Sequence, residues 1–148
     1  MHPTSDVTRR TVLAAGVGAL GLALTGCFSG RSDVETVQRA LQAAVEDLPE
    51  YVAGKVQYQD GFSQGTSISG NISVATTTRA ETERALERIH EALIRSYLPQ
   101  TNVRLASVRM RAYPPDQANE VVTSADIVGP EDRVSVDTDD LIEQFDIN

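Results

Sequence analysis

Few residues in this chain have the chemistry for catalysis. Cys27 is the only cysteine, and His2 and His90 are the only histidines. A lone thiol forms no internal disulfide and no thiolate metal cluster. His90 stands between Ile89 and Glu91 in a stretch with helical periodicity, and no second histidine follows to complete a zinc site. We expect a semi-exposed, structural His90. No serine sits in a Gly-x-Ser-x-Gly elbow. Gly61-x-x-x-Gly65 lacks the Gly-Lys-Ser/Thr ending of a phosphate loop. Asp137, Asp139, Asp140 and Glu143 could supply oxygens to calcium, but Leu141 falls where an EF-hand loop needs its third ligand. Their better use is the first turn of a helix, where negative charge meets the positive end of the dipole. The chain has no tryptophan to line a glycosidase groove. These readings assign no catalytic residue, no metal and no cofactor.

Cys27 has a different use. It closes Leu24-Thr25-Gly26-Cys27, after an uncharged run from Val12 to Leu24 and, before that, Thr8-Arg9-Arg10-Thr11-Val12-Leu13. At about 1.5 Å per residue, a helix over that run falls far short of the ~30 Å hydrocarbon core, so it reads as a signal-peptide apolar region. The segment resembles the signal of prokaryotic lipoproteins, with a lipobox and a twin-arginine export motif. The resemblance implies cleavage between Gly26 and Cys27 and a diacylglycerol on the Cys27 sulfur, with further acylation such as palmitate. The domain would then be anchored on the extracytoplasmic face of the cell membrane. Ala14 replaces the lysine frequent in that motif, so Arg9 and Arg10 also fit an ordinary secretory signal, and a free buried cysteine is the alternative for Cys27. One acyl chain holds a protein only marginally, at ~0.8 kcal/mol per buried methylene; two or three hold it stably.

Residues 1–26 are thus a signal peptide and 27–31 a lipidated tether, which leaves one domain's worth of chain. The net charge is −8, unevenly spread. The segment from Asp116 to Asn148 carries ten acidic residues against Arg133, whereas Cys27 to Pro115 is close to neutral. An acidic protein with no basic, aromatic-studded groove is a poor nucleic-acid binder.

The periodicities place the elements. A helix is expected from a capping box Ser32-x-x-Glu35, with Val34, Val37, Leu41, Ala44, Val45 and Leu48 as its apolar stripe and Pro49 as its end. Two alternating strands follow, with Val52, Gly54, Val56 and Tyr58, then Ile68, Gly70, Ile72 and Val74, on the dry face. A second helix opens at Thr78-x-x-Glu81 and buries Leu86, Ile89, Leu93, Ile94 and Tyr97. Val103–Tyr113 reads as a strand with a bulge near Arg104, Glu120–Val128 as a weaker strand, and Val134 with Val136 as an edge strand. Leu141, Ile142 and Phe145 would dock a last short helix capped by Thr138. The result is an α+β domain: two helices on one face of an antiparallel sheet, in the order α-β-β-α-β-β, over residues 32–128. Residues 129–148 form an acidic segment. Residues 32–113 also resemble small actinobacterial lipoproteins of unknown role, which brings no activity with it.

Lys55, Arg109 and Arg111 project from the polar face of that sheet, bordered by Tyr58 and Tyr113, and form the candidate binding face, with the acidic segment expected beside it. The reading is a lipid-anchored binding or envelope-associated accessory module without catalysis, its partners the membrane through Cys27 and an envelope protein. A small envelope hydrolase and a small-ligand carrier are the alternatives.

Overall fold

The computed structural model describes residues 30–117, 120–128 and 135–148. Arg9, Arg10, Gly26 and Cys27, like Gly129-Pro130 and Val134, lie outside the described residues. Helix α1 (Val34–Glu46) precedes the hairpin β1 (Tyr51–Gly61) and β2 (Gly65–Val74). Helix α2 (Arg79–Tyr97) leads to β3 (Ala106–Tyr113). The chain then runs through β4 (Val122–Thr123), α3 (Ser124–Ile127), β5 (Val136–Asp137) and α4 (Thr138–Gln144).

The fold is α+β with an open, mostly antiparallel sheet ordered β1-β2-β3-β4, and β5 also pairs with β3. The expectation of an antiparallel sheet throughout fails at one junction: β2 and β3 are parallel. A strand that leaves one end of the sheet and returns through a full-length helix must re-enter in the same direction. The α-β-β-α-β-β order runs as far as β4, but the sixth element is cut short and α3, β5 and α4 follow it. Where a strand was expected over Glu120–Val128, two residues pair and the chain turns into α3.

Helices α1 and α2 cover the inner face. Val37, Leu41 and Val45 pack with Leu86, Ile89, Leu93 and Ile94 over Val56, Ile68, Ile72, Val108 and Met110. Tyr58, expected at the border of the polar face, is instead buried here, edge-on to Tyr97 with ring centroids 5.7 Å apart. Val52, expected on the dry face, is exposed, because the register shifts between Tyr51 and Ala53 and leaves it as the extra residue. Gly70 allows a close fit: a Cβ there would lie 2.8 Å from Met110 Cε.

The caps show which short polar residues do what. Thr78 and Glu81 form the expected capping box of α2. The cap of α1, however, is Asp33, whose side chain accepts from Thr36 N, and not Ser32. Ser32 turns inward: its hydroxyl lies 2.7 Å from Tyr58 Oη and donates to Asp60 Oδ2 at 2.9 Å. Likewise Asp137 caps α4, while Thr138 is buried and accepts from Ala106 N at 3.1 Å. Among the described residues no helix is long and apolar enough to cross a membrane.

Candidate functional site

Strand alternation sends one row of each strand away from the helices. On the outer face, Lys55 pairs across β2 Asn71 with Arg111, and Gln57 pairs across Ser69 with Arg109. Adjacent strands lie about 4.8 Å apart and alternate residues about 6.7 Å apart, so these six side chains make two cross-strand rows one alternation apart. Because the central strand carries short Ser and Asn between longer Lys, Gln and Arg, the face sinks to a trough of about 320 Å³, walled by Lys55, Gln57, Arg109 and Arg111. Among the described residues no carboxylate lines it. The structure therefore brings the three candidate cations together, as their alternation implied.

These cations are also unengaged. Elsewhere Arg39 pairs with Glu35, Arg79 with Glu83 and Asp126, Arg88 with Glu50, Arg95 with Glu91 and Arg104 with Asp60. The side chains of Lys55, Arg109 and Arg111 enter no ion pair or hydrogen bond among the described residues, a state they share there only with Arg84. The acidic C-terminal residues were expected beside this face. Three of those described cap helices instead: Asp126 takes the Thr123 amide and hydroxyl, Asp137 takes the amides of Asp139 and Asp140, and Asp140 takes the Asp137 amide. A carboxylate spent on orphan amides has no reason to cross the sheet edge. Among the described residues no group of His, Cys, Asp and Glu is arranged to hold a metal ion.

The C-terminal segment docks on the free edge of β3, through two plugs of the same build. Each is a two-residue strand followed by a helix, Val122-Thr123-Ser124-Ala125-Asp126-Ile127 and Val136-Asp137-Thr138-Asp139-Asp140-Leu141. Each delivers a buried hydroxyl to a β3 backbone amide that lacks a strand partner. Ser124 Oγ accepts from Met110 N at 2.8 Å, and Thr138 Oγ1 accepts from Ala106 N.

His90 belongs to this edge. Expected semi-exposed, it is completely buried, and its Nε2 lies 2.9 Å from Ser124 Oγ. Ser124 donates its one proton to Met110 O at 3.3 Å, so its second lone pair is left to accept from His90 Nε2–H. That tautomer leaves Nδ1, which has no partner, as a bare acceptor rather than a stranded donor. Burial pushes the imidazole down to about 4, so it is neutral at neutral pH. A serine hydroxyl with three partners and almost no exposure is a brace, not a nucleophile.

A second polar cluster escaped the sequence reading. The Asp60 side chain is only 1% exposed and accepts from Ser32 N, Ser32 Oγ, Thr66 Oγ1 and Arg104 Nη2. Burial alone would raise its pKa, but the Ser32 bonds and the Arg104 charge outweigh it and hold the carboxyl below the usual range. Tyr97 Oη donates to Arg104 O at 2.7 Å and completes the cluster. Its only signal was the pair of short polar residues, Ser32 and Asp60, at element ends.

No family model, no curated protein and no solved structure matches this chain.

Proposed function

We propose that this chain is a lipid-anchored extracytoplasmic binding module without catalysis, which holds an acidic segment of an envelope protein across the outer face of its sheet. The observation that carries the reading is the cluster of Lys55, Arg109 and Arg111. Among the described residues their side chains have no partner and no carboxylate lines the trough they surround, on a chain of net charge −8. Cations left without partners on such a chain are positioned for charge from elsewhere. An extended segment laid along β2 presents alternate carboxylates about 6.7 Å apart, which matches the spacing of the two rows. The anchor is supported by Leu24-Thr25-Gly26-Cys27 and by Arg9-Arg10.

The test titrates the acylated protein, held in nanodiscs of neutral lipid, with poly-glutamate as the probe. Replacing the three cations with glutamine should weaken binding at least tenfold and leave the melting temperature unchanged. Arg84→Gln should have no effect. Equal binding by the triple variant overturns the reading.

A further inference from the structure

We propose that the domain docks on the lipid surface through the pole where its tether enters, with Phe62 as the inserted group. This inference rests on the lipid-anchor reading of Cys27. The tether pole is defined by contacts on the described chain. There α1 begins, the β1–β2 hairpin turns, α2 ends and β3 begins, tied together through Asp60, Ser32, Thr66 and Arg104.

Among the described residues five large hydrophobic side chains are exposed, and four of them belong to this pole: Val34, Phe62, Leu98 and Leu105. Only Val52 lies at the other end, where β1 starts. Phe62 at the hairpin tip is 93% exposed and Leu105, at the foot of β3, is 58% exposed. Nothing in the fold requires an aromatic ring there.

The reach of the tether turns this asymmetry into a geometry. Three residues separate Cys27 from Arg31, so the backbone of the acylated residue lies within about 14 Å of chain from a residue that touches Phe62. The Arg31 guanidinium sits 4.4 Å from the Phe62 ring centroid. A ring at the acyl boundary with a guanidinium over it, at headgroup height, is the usual arrangement of interfacial aromatic and basic residues. Asp60 is enclosed and neutralised by Arg104, so its charge is not turned to the lipid. Helix α4 starts beside Ala106 and brings the exposed Asp139 near this pole. The contact is therefore apolar rather than an attraction to anionic lipid, and a zwitterionic bilayer suffices.

The chain has no tryptophan, so Phe62→Trp is a sole reporter at an exposed position. The acylated full chain carrying it would be reconstituted in phosphatidylcholine vesicles with brominated acyl chains, beside a Val52→Trp chain that reports the far pole. Mass spectrometry would first check the acyl group on both. The expected result is a blue-shifted emission and at least threefold stronger quenching for Phe62→Trp. Acylated protein with equal quenching at the two positions, or stronger quenching at Val52→Trp, overturns the docking pole and leaves the anchor standing. Absence of the acyl mass overturns the anchor, and the docking falls with it.

Discussion

The two long edges of the sheet are closed by different chemistry. On β1 the closure comes from one helix: Gln38 and Gln42, one turn apart on α1, present their amides to the strand as if they were backbone. Gln42 accepts from Val56 N at 2.8 Å and donates to Gly54 O, while Gln38 accepts from Tyr58 N at 2.6 Å and donates to Val56 O. On β3 the closure is built from two separate plugs, each with a hydroxyl and a buried apolar residue. The β1 edge is therefore held by polar groups near water, and the β3 edge by burial. Open edges invite pairing with a foreign strand. With both edges occupied, the outer face is the surface the proposed binding would use, and there the three cations have no side-chain partner among the described residues.

The difference predicts unequal sensitivity. Ending the chain at Pro115 would remove Val122, Val128, Val136 and Leu141, all buried, and open the roof over His90. At about 1.5–3 kcal/mol for each fully buried side chain, the loss is about 6–12 kcal/mol, comparable to the whole stability of a domain. The truncated chain should show no cooperative thermal transition by circular dichroism. A melting temperature within a few degrees of the full chain would mean that the plugs are accessories.

The β3 edge should also respond to acid. His90 has its ordinary value of 6.5 when unfolded and about 4 when folded. Between those values the unfolded chain binds a proton that the folded chain does not. Stability is thus complete above about 6.5 and falls as pH drops towards 4, by up to about 1.4 kcal/mol per pH unit and about 3 kcal/mol in all. Asp33, Asp60, Glu81 and Asp126 are held below their ordinary values of 3.8 and 4.5, so their contribution is lost only at lower pH. The window from 4.5 to 6.5 therefore reports His90. Urea midpoints should decline across it in the native chain and stay flat in His90→Leu; parallel profiles would remove the histidine from the account.

His90 also shows where sequence reading ran out. Leu86, His90, Leu93 and Tyr97 share one stripe of α2, so its position already pointed inward; only its polarity argued otherwise. What covers it, Ser124, lies 34 residues later. That region, Val121–Val128, is apolar enough to pass as a strand. The sign of a helix start was present in Thr123-x-x-Asp126, but the short apolar runs around it outweighed it; the last helix was expected, with its cap placed at Thr138 instead of Asp137. The two long helices, the hairpin, the Thr78 cap and the outward phase of Lys55, Arg109 and Arg111 were legible because each depends on local periodicity. The parallel β2–β3 junction, helix α3, the docking of both plugs on β3 and the Asp60 cluster were not, because they join residues distant in the chain.

The smallest expected effect falls on the β1 edge. Replacing Gln38 and Gln42 with leucine deletes the four side-chain bonds to β1, yet the freed Val56 and Tyr58 amides lie where water can reach them once the glutamines are gone. The net cost should be about 1–2 kcal/mol, a shift of a few degrees in melting temperature. The larger consequence is in association. An eleven-residue strand would then offer unpaired donors and acceptors beside two new apolar side chains. Sedimentation should show concentration-dependent dimers for the double variant and a monomer for the native chain under the same conditions. Ser124→Ala offers the contrast on the other edge: it strands the Met110 amide and His90 Nε2–H in the core, costs about 2–3 kcal/mol, and leaves the edge covered by α3. It should lower stability without promoting dimers. If Ser124→Ala dimerises and the glutamine variant does not, the edge that α1 guards is not the one that needs guarding, and the contrast between the two closures is reversed.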